Sequence, residues 1–313
     1  VSATVPTAAR SARSSAEGGR TMKGKLGVHS LVFGDAWTEE TAKATCRAAA
    51  DIGYDLVEVL MFDPYTLDLE ATRTGLAGTG LELRLGMALG PDTDISSDDP
   101  EIAGKGEAAV TRALEIASEL GAPAVSGITY AAFNSYAAPQ TEAQRERVVE
   151  ALSRLDGRAG ELGVRLGLEP VNRYESYMVN TLDQAAGMIR DAGGRHMFVH
   201  MDTFHMNIEE GDISAAIHRN AALLGYAHVA DSNRGTLGGG HFDLTGYFRA
   251  LSAADYDGDF TVESFSSRVL SPDLVGGVRL WREAWVDPMQ AARAALNAMR
   301  AAKTAAEEGI RSW

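Results

Sequence analysis

Four short apolar runs in the second half of the chain each end in a side chain that can bind a metal ion. Their end residues, spaced 33, 26 and 35 residues apart, are Glu169, Asp202, His228 and Glu263. Each interval has room for one helix between two strands. This recurrence is typical of a (β/α)8 barrel, whose functional side chains lie at the carboxyl ends of the strands. A single such carboxylate can simply cap a helix, but four at this spacing predict one shared site.

Apolar strands and amphipathic helices alternate from residue 25 onwards. Eight strand and helix pairs with short turns predict a parallel sheet that closes into a single α/β barrel, the TIM barrel, with an additional C-terminal helix. Gly225 is expected to cap the helix before it. The predicted strands cover 26–33, 56–62, 81–89, 124–130, 166–168, 197–201, 226–227 and 260–262. The predicted helices cover 38–52, 67–76, 101–120, 142–162, 182–191, 213–224, 247–254, 273–285 and 288–306.

The first 22 residues differ in composition from the rest of the chain. They are rich in Ala, Ser, Thr and Arg, have Glu17 as their one acidic residue and show no apolar periodicity. This composition indicates a disordered extension over residues 1–22, ahead of a single domain over 23–313. An Arg-rich leader is also typical of a transit peptide, but a start of translation at Met22, directly before the first strand, is the simpler interpretation.

The charge of the chain restricts its partners. Of 313 residues, 29 are Lys or Arg and 43 are Asp or Glu, which gives a formal net charge of −14. A surface of this sign repels phosphate backbones and anionic membranes, so nucleic acid is not an expected partner. No apolar run approaches the ~18–20 residues that a membrane span needs. We expect a cytoplasmic protein.

The four strand-end residues also indicate the kind of ion. Three carboxylates and one imidazole supply oxygen and nitrogen ligands suited to Mn²⁺, Mg²⁺ or Co²⁺, of which Mn²⁺ is favoured. Cys46 is the single cysteine, which excludes an internal disulfide and a cysteine-based zinc site. Because it lies on a predicted amphipathic helix, we expect a buried thiol. No motif for a hydrolytic triad or a nicotinamide cofactor is present.

Four segments resemble the D-tagatose 3-epimerase family, which includes the D-allulose (psicose) and L-ribulose 3-epimerases and lies within the xylose-isomerase-like barrels. The resemblance runs from about residue 25 to residue 285. Its motifs are specific together, although each alone would be weak. They are LEPVNRYE at 168–175, MDTFHMN at 201–207, HVADSNRG at 228–235 and VESF at 262–265.

The resemblance implies a role for each strand-end residue. Glu169, Asp202, His228 and Glu263 match the metal ligands of the family, and Glu169 and Glu263 also match its acid/base pair. This implies a metal-dependent ketose 3-epimerase, an isomerase that acts on free ketohexoses or ketopentoses. Family members form dimers or tetramers, so a homodimer or homotetramer is expected.

Further positions match residues that hold the sugar. Glu175, His205 and Arg234 match the polar residues at its C1–C3 end, and Phe265 matches an aromatic wall. The loop at 238–240, with its three glycines, could cradle a phosphate. However, no Lys or Arg occurs between residues 234 and 249, so an unphosphorylated sugar is favoured.

Three positions bear on the preferred ketose. Trp37 and Tyr130 are expected to extend the aromatic wall. His29 stands where some family members have an aromatic residue, and Tyr130 where some have tryptophan, so the preferred ketose stays open. His200 shares a strand face with Asp202, and we expect it to pack beside the site rather than act as a fifth ligand.

Epimerisation at C3 needs the residue types that these positions supply. The C3 proton, next to the C2 carbonyl, must leave, and one must return on the opposite face through a cis-enediolate. A divalent ion would stabilise the charge on O2, while two carboxylates alternate as base and acid. The fifth and eighth strands lie three steps apart in an eight-stranded barrel. Glu169 and Glu263 are therefore expected on opposing walls.

Two other functions stay open at this point. An aldose–ketose or hydroxypyruvate-type isomerase on the same scaffold would move a proton between C1 and C2. The three residues that match the C1–C3 contacts weigh against it. An endonuclease-like phosphodiesterase or a sugar-binding barrel would belong to a different class. The seven histidines and the negative charge weigh against the phosphodiesterase, and a binding protein would not need two opposed carboxylates.

Overall fold

The computed structural model describes residues 21–136 and 138–309. Within these ranges eight parallel strands form one closed sheet in sequence order. The first strand pairs with the last, Leu26 lying beside Phe260, which closes the barrel. The predicted TIM barrel is therefore confirmed. The strands are β1 Leu26–His29, β2 Leu56–Met61, β3 Glu82–Leu89, β4 Ala124–Ala132, β5 Arg165–Leu168, β6 Met197–Asp202, β7 Leu224–Val229 and β8 Asp259–Val262.

Helices cover the outside of the sheet and bury their apolar faces against it. Several begin at a threonine that caps the first turn, as Thr38, Thr141 and Thr181 do, because a side-chain oxygen satisfies a free backbone N–H there. The helices are α1 Glu39–Ile52, α2 Leu69–Leu76, α3 Pro100–Leu120, α4 Glu142–Leu162, α5 Leu182–Asp191, α6 Thr203–Glu209, α7 Ile213–Asn220, α8 Leu244–Ala253, α9 Pro272–Gly277 and α10 Pro288–Glu307.

Two predicted elements are shorter in the structure. The first strand ends at His29 instead of continuing to residue 33, because Ser30–Val32 forms a 3-10 turn after it. The helix predicted over 273–285 is wrong in length, since α9 ends at Gly277. A glycine pair ends this helix, and Arg279 then takes a left-handed φ of 54°, which helical backbone cannot accommodate.

Two further predictions are corrected between β6 and β7. The seven-residue helix α6 follows β6 directly and was not predicted. The helix predicted over 213–224 ends at Asn220, and β7 begins at Leu224. Gly225 therefore lies in a strand and is not a helix cap. A Cβ on Gly225 would lie 2.6 Å from the ring of Phe198, so this glycine permits a close approach between β7 and β6.

The C-terminal helix α10 packs on the outside of the barrel, next to α8 and α1, so the predicted additional helix is confirmed. Its inward face is buried, and Tyr54 Oη donates to Ala292 O at 2.7 Å. The buried Met22 donates its backbone N–H to Glu307 Oε1 at 2.9 Å. Residues 1–20, to which most of the predicted N-terminal extension belongs, lie outside the described ranges.

Two further expectations can be compared with the fold. The thiol of Cys46 in α1 is buried, as predicted. Burial raises the pKa of this thiol to about 11, so it stays protonated at neutral pH. Among the helices of the described ranges, none combines the length and apolar character needed to cross a bilayer.

Candidate active site

The four predicted metal ligands meet at the C-terminal end of the barrel. Glu169 follows β5, Asp202 ends β6, His228 lies in β7 and Glu263 follows β8, and all four are buried. His228 Nδ1 lies 3.6 Å from Glu169 Oε1 and 3.7 Å from Glu263 Oε1. Ligand atoms of Asp202, His228 and Glu263 all lie within 4.8 Å of one another. The structure thus brings together the residues that the strand-end spacing singled out.

The donor atoms of this cluster fit a divalent cation. His228 Nδ1 is buried and has no hydrogen-bond partner among the described residues. Burial, and then the charge of Glu263, raises the pKa of Asp202 to about 6. Burial likewise raises the pKa of Glu169 and that of Glu263. A bound cation would offset the repulsion among these carboxylates, and the mixed oxygen and nitrogen donors suit an ion such as Mn²⁺ or Mg²⁺.

Arg234 places one positive charge among the acids. Its Nη2 lies 2.8 Å from Glu263 Oε2 and 3.2 Å from Asp202 Oδ2, and its Nη1 lies 3.5 Å from Glu175 Oε1. Burial disfavours the charge, but these carboxylates, Glu263 first, raise the pKa of Arg234 above its ordinary value. The residue has a left-handed φ of 54°, which is uncommon outside glycine and often found at functional sites.

Asn172 sets the orientation of His205, which lies in α6. The backbone N–H of Asn172 donates to His205 Nδ1 at 3.0 Å. Burial, and then the charge of Arg234, lowers the pKa of His205 well below its ordinary value, so the ring is neutral. The Nε2 atom lies 3.0 Å from Arg234 Nη2, and a guanidinium can only donate, so Nε2 faces a donor in this structure. It also lies 3.7 Å from Glu175 Oε2 and 3.9 Å from Glu169 Oε1.

The cluster lines a cavity of about 570 Å³ that is partly open to solvent. Its inner side is polar and is formed by three of the predicted ligands, Glu169, His228 and Glu263, with Glu175, His205 and Arg234. Phe265 also lines it, and its ring centroid lies 5.1 Å from Arg234 Cζ. The outer side is apolar, and its residues are Leu31, Leu60, Phe62, Phe133, Leu274 and Val278.

Two residues expected in the aromatic wall lie elsewhere. Trp37 does not line the cavity, and its Nε1 donates to Thr72 Oγ1 at 2.9 Å on the outside of β2. Tyr130 is fully buried behind β5, where its hydroxyl donates to Glu169 O at 2.8 Å. The prediction of these two as wall residues is wrong, since Phe62 and Phe133 hold that place.

His29 lines the cavity from the end of β1. Its Nδ1 accepts the backbone N–H of Leu31 at 3.1 Å. Burial lowers the pKa of His29 to about 4, so the ring is neutral at physiological pH. With Nδ1 as an acceptor, the proton lies on Nε2. The sequence predicted that His29 faces the site, and its donor role comes from the structure.

Glu58 was missed by the sequence analysis. It lies within β2, is fully buried, and accepts from His228 Nε2 at 2.8 Å. Burial disfavours a charged imidazole, but the neighbouring carboxylates, Glu58 first, raise the pKa of His228 well above its ordinary value. Binding of an ion at His228 Nδ1 would therefore release a proton. A lone carboxylate inside an apolar strand was the signal that could have found Glu58.

His200 packs beside the cluster, whereas the glycine-rich loop at 238–240 lies away from it. His200 is fully buried, as expected, and its ring centroid lies 4.1 Å from that of His228. Its Nδ1 is 3.8 Å from Glu169 Oε2. The exposed loop at 238–240 does not line the cavity. Asp231 Oδ2 holds this loop by accepting the backbone N–H of Gly238 at 2.8 Å.

The barrel and its buried polar mouth have counterparts among known proteins. The chain belongs to the xylose isomerase-like TIM barrel family, which residues 46–302 match. It is 37% identical to a ketose 3-epimerase of Arthrobacter globiformis, over 84% of this chain and 91% of the relative. It is 35% identical to an L-ribulose 3-epimerase of Mesorhizobium japonicum, over 86% of this chain and 91% of the relative.

A solved structure supports the same relationship. The fold matches D-allulose 3-epimerase from Methylomonas sp. in complex with D-allulose, with a TM-score of 0.86 and 33% identity. The match covers 90% of this chain and 97% of that one. The protein is therefore an enzyme of the isomerase class, a sugar epimerase related to the ketose 3-epimerases.

Proposed function

We propose that this protein is a metal-dependent ketose 3-epimerase that interconverts the C3 epimers of free ketohexoses or ketopentoses through a cis-enediolate. One observation carries the proposal. Glu169 and Glu263, from opposing walls of the barrel, both lie within 3.7 Å of the same nitrogen of His228. Two carboxylates that converge on one point from β5 and β8 can reach both faces of a sugar carbon.

The residues that would hold the ion are Glu169, Asp202, His228 and Glu263. When bound, the ion supplies Lewis-acid stabilisation of the negative charge that develops on O2 of the ketose. Mn²⁺ is the ion we expect, and Mg²⁺ and Co²⁺ suit the same donors. The buried Nδ1 of His228, which has no hydrogen-bond partner among the described residues, supports this assignment.

The proton transfers are assigned to Glu169 and Glu263. One carboxylate removes the C3 proton from its face, and the other, in its acid form, returns a proton to the opposite face. Burial raises the pKa of both groups, which brings the acid form closer to neutral pH and favours this exchange. Because the two roles can be interchanged, the reaction is reversible.

Binding of the sugar is assigned to the polar inner side of the cavity. Arg234 donates to the oxygens at the C1–C2 end, His205 binds the same end, and Glu175 accepts from a hydroxyl. Phe265 and the apolar outer side exclude water from the enediolate. Among the lining residues, Arg234 is the one Lys or Arg, and three carboxylates surround it. This environment favours a free sugar over a sugar phosphate.

Incubation in D₂O tests the proposal. The purified protein with Mn²⁺ is given fructose, tagatose, ribulose and xylulose in turn. We expect the C3 epimer of at least one ketose, with deuterium at C3 detected by NMR. An aldose product with deuterium at C1 or C2 would instead support the isomerase alternative, and absence of any exchange would contradict both.

Two expectations about the whole protein stay predictions. The first is assembly into a homodimer or homotetramer, and the exposed ring of Trp281 provides an apolar surface that supports it. Trp285 is buried instead, and its Nε1 donates to Ser264 Oγ at 2.8 Å. The second is a cytoplasmic location.

A further inference from the structure

We propose that Glu58 is a positioning residue of the metal centre. With Tyr226 and Thr261 it holds the imidazole of His228 so that Nδ1 faces the ligand carboxylates. The inference deepens the proposed function, because it rests on the assignment of His228 as a metal ligand. Nothing in the motifs that carry the family resemblance includes Glu58 or its two partners.

The two ring nitrogens of His228 face different groups. Nε2 lies 2.8 Å from Glu58 Oε2, and a carboxylate can only accept, so the Nε2–H donates to it. An imidazole held through Nε2 presents Nδ1 to a metal ion. Nδ1 is the atom that lies 3.6 Å from Glu169 Oε1 and 3.7 Å from Glu263 Oε1. The bond to Glu58 therefore fixes which nitrogen faces the site.

The hydroxyl group of Tyr226 holds the Glu58 carboxylate in place. Its Oε2 also accepts from Tyr226 Oη at 2.6 Å. Because the tyrosine donates its single proton there, the hydrogen bond between Tyr226 and Thr261 has the Thr261 hydroxyl as donor. All three side chains are buried and come from β2, β7 and β8. The network thus braces three strands beneath the metal centre, and Tyr226 lies two residues before His228 on the same strand face.

A glycine on the neighbouring strand leaves space for the Glu58 carboxylate. Gly86 on β3 lies directly beside it, and a Cβ at that position would be 2.7 Å from Glu58 Oε1. A side chain at this position would force the Glu58 carboxylate to shift from the place it holds beside His228. Glu58 Oε1 has no hydrogen-bond partner among the described residues. A buried carboxylate oxygen without a hydrogen-bond partner costs free energy. The hydrogen bonds of the other oxygen, Oε2, therefore hold the Glu58 side chain in this position.

The test is the affinity for Mn²⁺, measured by titration calorimetry on metal-free full-length protein. Glu58→Gln keeps the shape but removes the charge, and Gly86→Ala displaces the carboxylate without changing it. We expect both to weaken Mn²⁺ binding about 10–100-fold, as loss of a group that orients a ligand does. Tyr226→Phe should weaken binding about threefold to tenfold, since it removes one of two contacts of Oε2.

Tyr256→Phe is the matched control. It removes a buried tyrosine hydroxyl that donates to Asp259 O at 3.0 Å, a bond that involves neither Glu58 nor His228, and its Mn²⁺ affinity should stay within about twofold of the wild type. A purely structural role for Glu58 would lower the melting temperature of the metal-free variants and leave their affinity unchanged. Wild-type affinity in Glu58→Gln and Gly86→Ala would overturn the inference.

The remaining outcomes separate this inference from the proposed function. If Glu58→Gln does not fold, as judged by circular dichroism, Tyr226→Phe decides, and unchanged affinity there overturns the inference. If the wild type binds Mn²⁺ but epimerises no ketose, the proposed function fails while the affinities still decide the role of Glu58. If the wild type binds no divalent ion, both are overturned.

Discussion

Four carboxylates and one guanidinium share the buried mouth of the barrel, and their charges depend on one another. Glu169, Glu175, Asp202 and Glu263 surround Arg234 with distances of 2.8 to 3.5 Å for its three direct contacts. Burial raises the pKa of each carboxyl group. The surplus of negative charge at this site attracts a cation, and each residue can be tested by changing its charge without changing its shape.

Glu263→Gln tests the proton transfer. The amide keeps the shape of the side chain, whose Oε2 lies 2.8 Å from Arg234 Nη2, but it cannot take up a proton. We expect kcat for C3 epimerisation to fall about 10²–10⁴-fold, while Mn²⁺ still binds with reduced affinity. Glu210→Gln, whose carboxylate accepts from Leu182 N at 2.8 Å, is the control. Turnover within tenfold of the wild type in Glu263→Gln would contradict the assigned role.

His29 makes the metal-free protein sensitive to acid. Its pKa is about 4 in the fold and 6.5 ordinarily. Between these values the unfolded chain binds a proton that the folded chain excludes, so the free energy of unfolding falls as the pH drops from about 6.5 to 4. The contribution of this fully buried ring is about 3 kcal/mol.

Urea unfolding in the presence of a chelator measures this effect. His29→Phe should lose less stability than the wild type between pH 7 and pH 4, because a phenyl ring has no proton to take up. Wild-type and variant curves that fall in parallel over this range would show that His29 is not the source of the acid sensitivity.

At the scale of elements, Asp202 joins a strand to a helix. Its carboxylate ends β6 and caps α6, since Oδ1 accepts the backbone N–H of Phe204 at 2.7 Å. Its other oxygen faces Arg234 at 3.2 Å. The cap orients α6, which carries His205 into the cavity. One side chain therefore supplies a proposed ligand and sets the position of a sugar contact.

A pair of substitutions separates these two roles. Asp202→Asn keeps an oxygen that can cap α6 and should leave the stability of the metal-free protein within about 0.5 kcal/mol of the wild type, while Mn²⁺ affinity falls. Asp202→Ala loses both functions and should be less stable than Asp202→Asn by about 1 kcal/mol. Thermal unfolding with and without Mn²⁺ gives both quantities. Equal stability of the two variants would mean that the cap contributes nothing.

The positions of strand-end residues could be predicted because each depends on a local pattern, an apolar run and its last residue. Glu58 could not, because its partner His228 is 170 residues away and only the closed barrel brings them together. The seven residues of α6 are too few to show helical periodicity. The prediction that Trp37 lines the aromatic wall was wrong because the turn after β1 directs its side chain outward to Thr72. No sequence pattern encodes that direction.

At the scale of the whole molecule, α10 connects the C-terminal part of the described chain to the segment that leads into β1. Its buried face packs on the barrel, and Lys303 Nζ donates to Gly24 O at 2.8 Å next to β1. Tyr54 Oη at the start of β2 bonds to the backbone of the same helix. The helix therefore contributes to the stability of the strands from which the site is built, although no residue of α10 lines the cavity.

Leu296→Ala measures this contribution. Leu296 is 1% exposed on the inner face of α10, and removal of its buried methyl groups should lower the free energy of unfolding by about 2–5 kcal/mol. Arg293→Ala on the exposed face of the same helix is the control and should change it by at most about 0.5 kcal/mol. Similar effects of the two substitutions in urea titrations would indicate that α10 is not part of the cooperative unit.

The pairing of β8 with β1 has a consequence for biosynthesis. Glu263 follows the last strand to leave the ribosome, so a nascent chain that still lacks β8 has an open sheet and an incomplete set of donors. The full set of four proposed ligands can therefore assemble only after translation has passed the final strand, in the same step that seals the sheet.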